Sequence, residues 1–286
     1  MNILSIQSWV AYGHVGNAAA IFPLQRLGAE VWGIHTVQFS NHTGYGAWTG
    51  DVFTGPAIRA LVDGIESRGV LPRCDAVLSG YIGDATVGQA ILHAVHRVRT
   101  ANPRALYCCD PVIGDHNGGV YVRPGIPEFL LRDALPAADI ATPNSYELQH
   151  LTDLPCKTLH EAKAAVLALA TRLHSPGPRI VLVTGLRTAE TPSDSLDMLT
   201  FEDGSFHLLR TPALDLHLNG AGDVIAALFV FHRLHLGAAA PALQAAGSSL
   251  HGILCHTAQA GAPEPELIAA QQELVAPSIT FVPIQV

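Results

Sequence analysis

Short apolar runs recur along the chain. Each ends in polar residues and is followed by a segment whose apolar positions return at helical spacing. Ile3-Leu4-Ser5-Ile6 reads as a buried first strand, broken at Gln7-Ser8. Gly13, Gly16 and Asn17 then precede a helical run ending near Leu27-Gly28, and a second strand covers roughly Val31 to Val37. Ala76-Val77-Leu78-Ser79 is strand-like and ends at Gly80-Tyr81. A helix from about Val87 to Val98 leads through Asn102-Pro103 into the strand Ala105 to Cys109. Ala138 to Ala141 predicts a further strand, and Pro143 forces a turn before the helix carrying Glu147. After a helix from about Leu159 to Leu173, the strand Ile180 to Val183 ends in Thr184-Gly185. Leu196 to Phe201 and Phe206 to Arg210, separated by Glu202-Asp203-Gly204-Ser205, read as a hairpin on the sheet's edge. The apolar run Val224 to Phe231 and two further helical segments complete the chain. The alternation predicts an α/β fold with a central, mostly parallel sheet flanked by helices on both faces. With no repeat and no linker, residues 1–286 are expected to form a single domain.

Composition narrows the class. With 286 residues, 49% hydrophobic and 14% charged, the chain can bury a large core. A formal charge of −8 argues against nucleic acid, whose phosphates demand a basic face, and favours a small-molecule partner. No apolar run approaches a bilayer span, and Met1-Asn2-Ile3-Leu4 opens without a basic leader, so no membrane role and a cytoplasmic location are expected. Cys74, Cys108, Cys109, Cys156 and Cys255 form no CxxC pair and are odd in number, which fits reduced thiols. The 15 histidines are scattered and read as surface or satisfied core groups. Lys157 and Lys163 share one polar helical segment, which leaves no GxxxxGK[ST] phosphate loop and no lysine poised for a Schiff base.

The chemistry gathers where apolar runs end. In Leu216-His217-Leu218-Asn219-Gly220-Ala221-Gly222-Asp223 a glycine turn enters a helix, where free N–H groups and the macrodipole favour an anion. Asp223 is read either as a plain helix cap or as a base taking the proton of a hydroxyl that attacks a phosphoryl group. Other strand tips deliver Ser8, Asp110 with Asp115, Thr142 with Asn144 and Glu147, and Thr184 to the same side. A glycine cradle, a base and oxygen ligands suited to Mg²⁺ together describe phosphoryl transfer to a hydroxyl. Gln38 to Gly46 reads as a functional loop. Gly114 to Tyr121, with glycines around Asp115, His116 and Asn117, reads as a flexible lid.

These residues resemble the ribokinase-like superfamily and, within it, the pyridoxal kinases. The likeness is carried by Ser5 to Ser8, the Tyr-Gly-His-Val-Gly-Asn run of Tyr12 to Asn17, Val37-Gln38-Phe39-Ser40-Asn41-His42-Thr43, Ser79-Gly80-Tyr81, Cys109 to Val112, Thr142-Pro143-Asn144 and Gly220-Ala221-Gly222-Asp223. Ala221 stands where such kinases more often carry threonine or valine. The resemblance implies a ribokinase-like fold and ATP-dependent phosphorylation of the 5′-hydroxymethyl group of pyridoxal. Asp223 would be the base, with Gly220, Ala221 and Gly222 as the anion hole. Ser8, Thr43 and Gly44 would hold the pyridine substituents, with Tyr81 near the ring. Asp110, Thr142, Asn144 and Glu147 would form the nucleotide end, with Asp110 and Glu147 toward Mg²⁺. Asp115 and Tyr121 would belong to the loop over ATP, and Thr184, Arg210, Thr211, Pro212 and Ala213 would lie toward the nucleotide. A cytoplasmic homodimer is also implied. Two alternatives stand beside this reading. One is a kinase of a related hydroxymethyl heterocycle, such as hydroxymethylpyrimidine, or of a sugar. The other is a non-catalytic pyridoxal phosphate binding protein.

Overall fold

Period-two alternation along the strands organises the fold. The computed structural model describes residues 1–216 and 218–286; His217, inside the glycine-rich run read above, lies outside the described residues. The chain opens with β1 (Asn2–Val10), α1 (Asn17–Arg26), β2 (Glu30–Phe39), β3 (Gly50–Val52), α2 (Gly55–Glu66), β4 (Ala76–Ser79), α3 (Ala85–Ala101) and β5 (Leu106–Cys109). The hairpin β6 (Gly114–Asp115) and β7 (Gly119–Val120), then α4 (Ile126–Phe129), β8 (Ile140–Ala141), α5 (Ser145–Thr152) and α6 (Leu159–Ala170) follow. The last third carries β9 (Ile180–Leu186), β10 (Ser195–Glu202), β11 (Ser205–Pro212), α7 (Ala221–Leu236), α8 (Ala239–Ala260), α9 (Gln271–Val275) and β12 (Ile284–Gln285).

Among the described residues, ten strands join in the order β12-β11-β10-β9-β8-β5-β4-β1-β2-β3. The six from β9 to β2 run parallel, and antiparallel strands close both edges. Neighbouring strand residues point to opposite faces, so Ile3, Ala76, Cys108 and Ile180 pack in one core with α1, α7 and α8. Leu4, Val77, Cys109 and Val181 pack in the other, with α2, α3 and α6. Burial on both faces is why these strands read as continuous apolar runs rather than alternating ones. All five cysteines are free thiols, and four of them are buried.

Several elements differ from the sequence reading. Helix α3 starts earlier than Val87 because the Asp84 carboxylate accepts the Thr86 N–H at 2.7 Å and caps it at Ala85. Helix α6 stops at Ala170, where Thr171 forms its C-cap, short of Leu173. The hairpin turn is only Asp203-Gly204, both at positive φ, and β12 lies outside β11, so the hairpin is not the outermost edge. Gly114 to Tyr121 is less loose than its composition predicts. Gly114–Asp115 pairs with Gly119–Val120, the Asp115 carboxylate accepts the N–H groups of Asn117 and Gly118 (2.7 and 2.6 Å), and Asn144 Nδ2 donates to the Gly114 carbonyl at 2.8 Å.

Candidate active site

Strand β1 ends beside the start of α7, and the meeting of two glycine turns there builds the centre of the site. Gly220 caps α7 at φ +91, a left-handed conformation that leaves the first N–H groups of the helix free. A Cβ on Gly220 would stand 2.0 Å from the His14 carbonyl oxygen, so close approach of the two turns requires glycine. A Cβ on Gly222 would meet nothing within 4 Å, so the helix terminus opens into the cleft. Asp223 sits in the first turn of α7 and its carboxylate accepts the Gly16 N–H. Burial raises its pKa to about 6, the Gly16 hydrogen bond opposing the shift and the charge of Glu264 adding to it. A cap alone does not account for this carboxylate, because Gly220 occupies the cap position.

A cleft of about 550 Å³ opens in front of Asp223. It gathers Ser8, Thr43, Gly44, Tyr81, Asp110, Asp115, Tyr121, Thr142, Asn144, Glu147, Thr184, Gly220, Ala221 and Gly222 from segments far apart in sequence. One wall is apolar, made by Val10, Val15, Val37 and Phe39, and suits a flat ring. His42, Val112, Leu218 and Asn219 also line the cleft. Val10 and Val15 escape a sequence reading because apolar residues near a strand end carry no mark that separates cleft wall from core.

A second cavity of about 270 Å³ shares Thr184, Leu218, Ala221 and Gly222 with the first. Its lining is largely apolar, including Leu196, Met198, Leu214, Leu250 and Leu254, with Thr211 and Pro212 among its walls. Arg210 and Ala213 line neither space. The Arg210 guanidinium is engaged by the fully buried Asp197 carboxylate, at 2.7 Å through Nε and 2.8 Å through Nη2.

The acidic end divides into two unlike carboxylates. Asp110 accepts a hydrogen bond from Thr142 Oγ1 at 3.1 Å, and its pKa is driven well up by burial, then by the charges of Glu147 and Asp223. Glu147 is already committed to the backbone. Its Oε2 accepts the Asn144 N–H at 2.9 Å and its Oε1 accepts the N–H groups of Ile113 (2.9 Å) and Gly114 (3.4 Å), while Asn144 returns a capping bond to the Glu147 N–H. Burial still lifts its pKa to about 7 against those bonds. Among the described residues no group of three or more His, Cys, Asp or Glu side chains could hold a metal ion. Converging carboxylates without a closed cage fit Mg²⁺, which takes one or two protein oxygens and fills its shell with water and phosphate.

Comparison with known proteins follows the same lines. A family model described as phosphomethylpyrimidine kinase matches residues 70–264. The chain is 63% identical over 281 residues, 98% of each chain, to a protein of Granulibacter bethesdensis named pyridoxal kinase PdxY. It is 56% identical to a protein of the same name from Deinococcus radiodurans, covering 98% of this chain and 95% of that one. Its fold superposes with a TM-score of 0.91 on the pyridoxal kinase of Leishmania donovani in complex with ADP and pyridoxine, at 28% identity, covering 100% of this chain and 99% of that one.

Proposed function

The chain belongs to the pyridoxal kinase family, and from that premise we propose that it transfers the γ-phosphoryl group of ATP to the 5′-hydroxymethyl group of pyridoxal, giving pyridoxal 5′-phosphate for vitamin B6 salvage. The observation that carries this reading is a single cleft holding three things at once: Asp223 at an open helix N-terminus, an apolar wall with the hydroxyls of Ser8 and Thr43, and the Asp110–Glu147 end. Asp223 takes the proton of the attacking hydroxyl. The free N–H groups of Gly220, Ala221 and Gly222 meet the charge that grows on the transferred group. Ser8, Thr43 and Gly44 orient the ring beside Tyr81. Thr142, Asn144 and Thr184 face the phosphates, and the apolar second cavity, with Thr211 and Pro212, suits an adenine ring. When bound, Mg²⁺ neutralises phosphate charge. Asp110 is the direct protein ligand for it in this reading, and Glu147 acts mainly by fixing the Ile113–Asn144 backbone. Residues 1–286 form one kinase domain, working as a cytoplasmic homodimer. No helix among the described residues is long and apolar enough to cross a membrane.

The phosphomethylpyrimidine kinase match supports a second reading, a kinase of a hydroxymethylpyrimidine. That match begins at residue 70, so it spans the phosphoryl-transfer apparatus and Tyr81 but omits Ser8, Thr43 and Gly44. A binding protein without turnover is disfavoured, since it has no use for a carboxylate poised with a pKa of about 6. A coupled ATP-consumption assay across pyridoxal, pyridoxine, pyridoxamine, hydroxymethylpyrimidine and ribose tests the choice. Greater kcat/KM for the pyrimidine than for every B6 vitamer would overturn the assignment.

Three further outcomes are expected. Ser8→Ala and Thr43→Ala each weaken pyridoxal binding by about 0.5–1.5 kcal/mol and leave ATP binding unchanged; unaltered pyridoxal affinity in both would make these hydroxyls structural. Because Asp223 must be ionised to accept a proton, kcat falls as pH drops through about 6. An acidic limb near pH 4 would point to an unperturbed base. Hydrogen exchange across Gly114–Tyr121 slows when pyridoxal and a non-hydrolysable ATP analogue bind together, as the hairpin closes over the phosphates. Equal exchange with and without ligands would remove that segment from the reaction.

A further inference from the structure

Glu264 is 5% exposed and lies behind the cleft rather than in its lining. The His14 N–H donates to its Oε2 across 250 residues of chain, and its Oε1 is a buried oxygen with no hydrogen-bond partner. Gly13 lies directly against this carboxylate: at φ +101, a Cβ there would stand 2.0 Å from Glu264 Oε2. The flanking prolines reach the other glycine turn. The Pro263 carbonyl accepts the Asn219 N–H at 3.2 Å, and Pro265 Cδ lies 3.2 Å from where a Cβ on Gly220 would be. Residues 263–265 therefore tie together the turn that ends in Gly16, the donor to Asp223, and the turn that opens α7.

A half-satisfied buried carboxylate costs stability, so packing alone is a poor reason for a charge here. Its strong hydrogen bond to a backbone N–H is a better one. We infer that Glu264 is a positioning residue for phosphoryl transfer, holding the Gly13–Gly16 turn against the start of α7 so that the Gly16 N–H keeps the Asp223 carboxylate aimed at the substrate hydroxyl. This rests on the assignment of Asp223 as the base. The ionisable groups around Glu264 are His42, Tyr45 and Asp223. Burial first, then the Glu264 charge and a side-chain hydrogen bond to Glu264, pushes the Tyr45 phenol up to about 12, while that charge opposes the lowering of His42 by burial.

The test uses the full chain and whichever hydroxymethyl substrate the wild type turns over, so that a wrong substrate assignment is seen first and separately. Glu264→Ala is expected to lower kcat about tenfold to 100-fold, the cost of a misaligned reacting group, with KM for ATP within about twofold of wild type. Glu264→Gln, whose amide oxygen still accepts the His14 N–H, is expected to restore kcat to within about threefold. Gly13→Ala, which drives a methyl group into Glu264, is expected to reproduce the kcat loss and serves where Glu264→Ala does not fold. Wild-type kcat in Glu264→Ala or Gly13→Ala, or equal kcat losses in the alanine and glutamine variants, would overturn the assignment.

Discussion

Asp223→Asn is expected to cut turnover about 10²- to 10⁴-fold while ATP and pyridoxal still bind, because an amide of nearly the same shape cannot take the proton. Stability should not suffer. The folded pKa of about 6 lies above the 3.8 of an unperturbed Asp, so the stability linked to the protonated group is present below pH 3.8 and lost as pH rises through about 6. At neutral pH the charged form costs at most roughly 3 kcal/mol, less where water enters the cleft, and the neutral amide escapes that cost. Single-turnover kinetics and Tm, measured side by side at pH 8, check both parts. Near-normal turnover would remove Asp223 from the reaction, and a large fall in Tm would show that the variant reports on folding instead.

Chelation of divalent cations is expected to abolish activity, and Asp110→Asn to raise the Mg²⁺ requirement more than the pyridoxal requirement. The charges of Glu147 and Asp223 both add to the rise in the Asp110 pKa, so a triphosphate entering beside them needs a cation to relieve the repulsion. Glu147→Ala would be a poor probe of this, since it strips three backbone N–H groups of their acceptor and destabilises the turn before α5. Titration of Mg²⁺ at fixed ATP separates the ends of the cleft. An Asp110→Asn change confined to pyridoxal KM would reverse them.

The legible parts of this molecule are those whose physics is local. The strand runs at Ile3, Ala76 and Ile180 are apolar because both sheet faces are covered, and their polar ends fall in the cleft because the strands run parallel. Asn144 and Glu147, three apart ahead of an apolar turn, carry a capping-box signature in the sequence itself, which accounts for much of what Glu147 does here. Helix α2 is legible in the same way, from Thr54-Gly55-Pro56 followed by Ile58, Leu61, Val62 and Ile65 at helical spacing. The three-residue β3 is too short and polar to leave a pattern. What stays hidden is pairing at a distance. Arg210 faces Asp197 only once the hairpin register is fixed, and nothing near Glu264 in sequence points to His14.

The sheet order has a consequence for how such an enzyme changes allegiance. Ser8, Thr43, Phe39 and the valine wall come from β1, β2 and the loop after them, whereas the anion turn and the acidic strand tips follow residue 80. Apart from Tyr81, the acceptor-recognising jaw is thus written in the first quarter of the gene and the donor-handling jaw in the remainder, with Asp223 on the seam. Mutational drift among those ring contacts, away from the Gly13–Gly16 turn that supports Asp223, can retune what is phosphorylated without touching how, and that is where new alcohol specificities would be sought.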